Sequence, residues 1–404
     1  MHRLVTVLGI LLALVAGLPA AAPADPDVRI GRIENGLRPF TSPAAMLQPD
    51  AAEPAGTATL AERMRHYQVP GVGLAVVAGG GVAWARSYGV MDAGTAAPVT
   101  AATRFEAAST SKFVTAVLAL HLVQTGRLEL DRDVNDYLKS WRVPDTDHTR
   151  VEKVTLRRLL THQAGLPATN FGTDPDDAVP TLAQVLGGVR PAVNKPAVPE
   201  LVPGTRWQYS NIGYVVIQQV LEDVTGRPFP ELAEAMLFRP LGMSASSFRY
   251  PLDPPAQRQE AMPHDATGAV RRPIMHRSAF AHGGLTTTPT DLAVFAHEIM
   301  RAYQGQSDRI LSRESARRLL HPELNLDPRM FGLPLAEGLG VMLMGEGTDR
   351  AFAHPGSNLP GLNCWLVGWP ERGTAVVVMT NGAQGEVLAM EIIAAFHREY
   401  NREH

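Results

Sequence analysis

Ser109-Thr110-Ser111-Lys112 stands directly before a nearly unbroken apolar run from Phe113 to Val123. Residues three apart on a helix are neighbours, so a helix beginning here would bring the Lys112 amine to the Ser109 hydroxyl. A serine hydroxyl is a weak nucleophile until a base takes its proton. A helix N-terminus adds partial positive charge and backbone N–H groups where the oxyanion of an attacked carbonyl would need them. The chain has four lysines, Lys112, Lys139, Lys153 and Lys195, so a lysine at this place is less readily surface filler. The pattern points to acyl transfer, with Ser109 as nucleophile and Lys112 as its partner. To accept a proton, Lys112 must spend time neutral, which a desolvated site would favour.

Two later segments add to this. Tyr209-Ser210-Asn211 lies between Pro203-Gly204-Thr205 and the helical run Ile212 to Val224, at a loop-to-helix junction. His354-Pro355-Gly356-Ser357 opens a β-rich C-terminal stretch. The order S-x-x-K, Y-x-N and then basic residue-x-G resembles the serine β-lactamase and penicillin-binding protein superfamily. The tyrosine in the second motif is closest to class C β-lactamases, D-alanyl-D-alanine carboxypeptidases, D-aminopeptidases and related esterases. Further matches are Leu159 to Pro167, Leu241-Gly242-Met243, Gly283-Gly284-Leu285 and Pro289 to Leu292. The resemblance runs from about residue 57 to the C-terminus.

The resemblance implies roles residue by residue. Tyr209 becomes a second candidate base, and the residues alone do not choose between it and Lys112, which could titrate as one unit. Asn211 would hold Lys112 and donate to the substrate's acyl side, although asparagine is also a common helix cap. The oxyanion hole would be the backbone N–H groups of Ser109 and Ser357, with Gly356 leaving room for substrate. His354 departs from the lysine usual at that place. A histidine is largely neutral at pH 7, so carboxylate recognition should be weaker or pH-dependent. That favours a carboxyesterase or D-amino-acid peptidase over a dedicated β-lactamase. The alternatives are a class C-like β-lactamase and a weakly active penicillin-binding sensor or scaffold.

Other motifs carry less. Pro322-Glu323-Leu324-Asn325 looks like the tetrad of class A β-lactamases, but Glu323 comes 112 residues after Asn211 and reads as loop. No G-x-S-x-G occurs, which argues against an α/β-hydrolase. The thirteen histidines show no metal-ligand spacing, and neither metal nor cofactor is expected. His162 and His282, beside glycines, read as structural, and His121 as a satisfied core histidine.

The elements that must position these groups follow from composition and pattern. With 404 residues, 45% hydrophobic and 19% charged, the chain suits a soluble globular protein with a sizeable core. A net charge of −3 gives no reason to expect nucleic acid as a partner. The expected partner is a small molecule or peptide with a scissile ester or amide. Arg3, the apolar stretch Val5 to Leu18 and Ala22-Pro23-Ala24 read as a signal peptide over 1–24, short for a membrane span and cleaved for export. The lone cysteine, Cys364, precludes an internal disulfide and reads as a buried strand thiol.

Residues 25–56 read as an extended lead-in and 57–404 as the hydrolase domain. Gly71–Ala78 and Val82–Tyr88 form an expected hairpin about Gly79-Gly80-Gly81. Helices are expected near 57–67, 109–124, 155–161, 211–225, 229–237, 290–303, 313–320 and 386–400, and strands at 339–344, 362–368 and 374–380. The expected fold is α/β and β-lactamase/transpeptidase-like. One antiparallel sheet draws on both chain ends, about 57–108 and 335–404, flanked by helices, with an all-α region at about 109–334 inserted.

Overall fold

Along Gly71–Ala78 the side chains of Val72, Leu74 and Val76 alternate with those of Ala75 and Val77, and both sets are buried. A strand buried on both faces belongs inside a sheet covered on both sides. The computed structural model, which describes residues 25–46, 56–169, 178–271 and 278–401, has that arrangement. The expected signal segment, 1–24, and parts of the loops 168–204 and 250–280 lie outside the described residues.

The strands are β1 Gly71–Ala78, β2 Gly81–Asp92, β3 Ala97–Pro98, β4 Phe105–Glu106, β5 Thr286–Thr287, β6 Leu324–Leu326, β7 Leu335–Glu337, β8 Met342–Met344, β9 Ala351–Asn358, β10 Leu362–Trp369 and β11 Thr374–Thr380. Nine of them form one sheet in the order β3-β2-β1-β11-β10-β9-β8-β7-β6, and β4 pairs with β5 alone. Neighbouring strands are antiparallel throughout, and β1 joins the N-terminal hairpin to β11. The hairpin turns at Gly79 and Gly80, whose φ of 62° and 85° suit a tight two-residue turn that other residues would strain.

The main helices are α1 Pro26–Glu34, α2 Leu60–His66, α3 Ser111–Gln124, α4 Asn211–Thr225, α5 Pro289–Gln304 and α6 Gly385–Tyr400. On one sheet face Val72, Leu74, Val376, Val378, Val367 and Trp369 pack with Ile30 and Ile33 of α1 and with Leu388, Ile392 and Phe396 of α6. On the other, Ala75, Val77, Val377, Met379, Cys364 and Leu366 pack with α3, α4 and α5. Helix α3 is apolar all round and accordingly buried almost all round. It is the axle of the helical region.

Three segments differ from expectation. Pro26–Glu34, within the supposed extended lead-in, is a helix: Asp25 caps it by accepting from the Asp27 N–H, Pro26 starts it, and Ile30 and Ile33 face the core. The Pro/Ala-rich composition hid that apolar pair. The strand expected at 339–344 is the shorter β8, and a further strand, β7, precedes it, with Gly340 turning between them at φ 79°. Leu324–Leu326, half of the segment read as loop, is the edge strand β6, paired with β7 inside the region expected to be all-helical. Three residues are too few to show an alternation.

Candidate active site

Ser109 lies on a short 3₁₀ turn, Ala108–Thr110, that runs into α3. Ala108, just before it, has φ 46°, a left-handed conformation costing about 1–3 kcal/mol that the surrounding contacts must maintain. Those contacts are visible. The Ala107 N–H donates to the Leu285 carbonyl at 2.8 Å, the Thr110 hydroxyl to the His354 carbonyl at 3.0 Å, and the Leu285 N–H to the Ser111 hydroxyl at 3.0 Å. The two residues between serine and lysine thus tie the turn to β9 and to the 282–285 segment. Ser109 itself is half-buried.

Lys112 is fully buried, its Nζ 3.0 Å from Ser109 Oγ and 2.6 Å from the His282 carbonyl oxygen. It lies 5.0 Å from the centre of the Tyr209 ring and 5.6 Å from that of Tyr214. Burial holds its pKa well below the ordinary lysine value. A neutral amine has a lone pair, and here that pair can face Ser109.

The Tyr209 hydroxyl also bonds to Ser109, yet burial pushes its pKa above the usual tyrosine value, and the Glu337 carboxyl acts in the same direction. The loop carrying Tyr209 is shaped by His162. That residue is buried, with φ 56°, and its ring stacks at 4.4 Å on Tyr209. Its Nδ1 accepts the Ser210 N–H at 3.1 Å and its carbonyl accepts the Gln208 N–H at 2.8 Å. Burial favours the neutral imidazole, and with Nδ1 accepting, the ring proton is on Nε2.

Asn211 is placed differently from expectation. The two acceptors of Lys112 are Ser109 and His282, so Asn211 does not hold the lysine; its amide donates to the Thr169 carbonyl at 3.3 Å. Nor is it the helix cap. Ser210 caps α4, accepting the Gly213 N–H at 3.2 Å, and Asn211 is the first helical residue.

On β9, Gly356 packs against the turn so closely that a Cβ there would fall 2.2 Å from the Ala107 oxygen and 3.0 Å from the Ser109 nitrogen. Both are backbone atoms and cannot swing aside. Gly356→Ala should therefore cost about 1–3 kcal/mol in stability, read as a lowered Tm, and should depress acylation of Ser109 at the same time. The Ser357 side chain bonds across strands to Asn363 at 2.9 Å, on the face opposite Gly356, so only its backbone could serve an oxyanion.

His354 is buried, its Nδ1 2.8 Å from the Pro355 carbonyl. Burial, with Lys112 adding to it, lowers its pKa to about 3. That surrounding favours the neutral imidazole over the pH-dependent imidazolium anchor. Cys364 is buried in β10, its thiol pushed up to about 12 and so unreactive. Among the described residues no group of three or more His, Cys, Asp or Glu could hold a metal ion.

Sequence reasoning missed the His282 carbonyl, because a main-chain acceptor leaves no residue-type signal. It also missed Glu337, whose carboxyl accepts the Trp207 indole N–H at 3.3 Å. An acidic residue in a short strand otherwise made of Leu335 and Ala336 was the available clue.

The Beta-lactamase family model matches residues 57–397. Penicillin-binding protein 4 of Amycolatopsis lactamdurans is 29% identical over 329 residues, 79% of this chain and 82% of that one. The octameric penicillin-binding protein homologue from Pyrococcus abyssi has a TM-score of 0.70 at 24% identity, covering 85% of this chain and 77% of its own. D-alanine carboxypeptidase AmpC from Burkholderia cenocepacia has 0.64 at 20% identity, covering 87% and 98%. At those identities the two structural likenesses speak to the fold, and it is the α/β fold with a large antiparallel sheet that the motifs implied.

Proposed function

The chain belongs to the Beta-lactamase family, and from that premise we propose that it is an exported serine hydrolase forming an acyl-enzyme on Ser109, with carboxyesters or D-amino-acid peptides as substrates. The observation that carries the reading is the buried Lys112 amine within hydrogen-bond distance of the Ser109 hydroxyl, where burial favours its neutral form. Lys112 takes the Ser109 proton as the hydroxyl attacks, since burial favours its neutral form while making the Tyr209 phenolate costly. The proton on Lys112 then reaches the leaving group by way of Tyr209, whose hydroxyl gives up its own proton as it takes that one, so no free phenolate forms. The N–H groups of Ser109 and Ser357 receive the oxyanion, and water then hydrolyses the ester on Ser109. Asn211 and Gly356 border the substrate groove.

Neutral His354 favours the esterase arm. Without a fixed positive charge, a substrate carboxylate has no dedicated partner at this position, whereas a neutral ester needs none. The kcat/KM profiles for a carboxylate-bearing peptide and for a neutral ester should accordingly run parallel between about pH 5 and 8. A fall seen only for the carboxylate substrate near pH 6.5 would assign His354 a charged role after all. Activity measured side by side on p-nitrophenyl esters, D-Ala-D-Ala peptides, D-amino-acid amides and nitrocefin tests the reading as a whole. Nitrocefin turnover matching the best ester would replace it with a β-lactamase. Export rests on the N-terminal signal pattern; among the described residues no helix is long and apolar enough to cross a membrane.

A further inference from the structure

Glu337 is a buried acid that the mechanism above leaves unused. It lies on β7, next to the edge of the sheet, 2% exposed. Its carboxyl accepts the Trp207 indole N–H, and Trp207 precedes Tyr209 by two residues. The Trp207 ring is 6.3 Å from the Tyr209 ring and meets His162 edge-on at 6.1 Å. The 207–210 segment is held from both sides, and from the helical region the Gln208 amide and the Ser210 hydroxyl also donate to the Leu166 and Pro167 carbonyls. His162 grips it from the helical region through Gln208 and Ser210, and Glu337 grips it from the sheet through Trp207.

We propose that Glu337 is a positioning residue for Tyr209: through Trp207 it seats the 207–210 segment against the sheet, and its protonation state sets how readily Tyr209 gives up a proton. The inference rests on the reading of Tyr209 as a partner of Ser109. Burial raises the Glu337 pKa to about 8, so the carboxyl is neutral in the range where the segment is held. Once ionised it places a negative charge near the hydroxyls of Tyr209 and Tyr214 and opposes their ionisation. The other titratable groups around it do not cancel that charge. Glu323, beside β6, is engaged by Arg157 at 2.7 Å, Arg206 on the loop is exposed, and His162, edge-on to Trp207, and Lys112 have their charged forms disfavoured.

The test is the rate at which a fluorophosphonate phosphonylates Ser109 with loss of fluoride, followed against pH in the full-length protein. Glu337→Leu should lower that rate about tenfold or more at every pH, since small displacements of a reacting group cost this much, while the final label stays stoichiometric. Glu337→Gln keeps an acceptor for Trp207 but cannot ionise. It should restore the rate below about pH 8 and should lack the wild type's decline above it. Trp207→Phe, which removes the donor alone, should reproduce the Glu337→Leu loss and covers the case in which that variant folds poorly. Equal rates in wild type and both disrupting variants, or the same alkaline decline in Glu337→Gln, would overturn the proposal alone. A folded wild type that is not labelled at Ser109 would overturn the serine-hydrolase reading and this one with it.

Discussion

Ser109→Ala should abolish both turnover and covalent labelling by fluorophosphonate or penicillin while leaving the fold intact. The nucleophile is the one atom for which the site offers no substitute, so the expected loss in kcat is on the order of a million-fold. The structural cost is small by comparison. Ser109 Oγ meets the Lys112 amine and the Tyr209 hydroxyl, and losing such bonds costs about 0.5–1.5 kcal/mol each. Lys112 keeps its 2.6 Å bond to the His282 carbonyl, so no amine is left without an acceptor. The measurement is intact-protein mass after labelling, beside a thermal melt. Label appearing at a second serine of the variant would sink the assignment of Ser109.

Lys112→Met carries the second largest expected effect, and its two consequences run in opposite directions. Removing the proton acceptor should lower kcat by about 10²- to 10⁴-fold, the usual worth of a positioned general base. Stability should rise, because methionine fills the volume of the lysine stem without the cost of burying an amine. The pH dependence follows from the sign of the shift. The folded state holds Lys112 with a pKa well below 10.5, whereas the unfolded chain keeps the ordinary value. Between those two values the unfolded state binds the extra proton, so the wild type gains stability as pH rises through that window. The Tm advantage of Lys112→Met should therefore be largest at acid pH and shrink as pH approaches about 10. An advantage that is flat with pH would mean that Lys112 is charged in the folded protein, and the case for it as base would fall.

Much of the fold was legible. Strand β11 and helix α4 have the boundaries that their patterns predicted, because each is a long, uninterrupted run with a clear stop. The hairpin at Gly79-Gly80 was equally plain. What escaped were short elements whose register is set by a partner: β6 against β7, and α1 against α6. Three residues, or two isoleucines in a Pro/Ala-rich stretch, do not announce a period by themselves.

The candidate site divides in the same way. That Ser109 and Lys112 meet is a local consequence of three-residue spacing at a helix start, and the sequence alone determines it. The motif order brings Tyr209 and β9 into the same reading. Protonation states are another matter, since desolvation depends on everything packed around a group. The Lys112 pKa is lowered because the helical region encloses the amine, and a carbonyl 170 residues away, at His282, takes its hydrogen bond. The neutral form of His354 is favoured because β9 buries it near that same lysine. The Asn211 amide donates to the Thr169 carbonyl, and Glu337, carried by a sheet strand, meets the Tyr209 loop at Trp207. The sequence determined which atoms could do chemistry together. The tertiary structure decided which of them carry charge, because only the assembled chain removes the water.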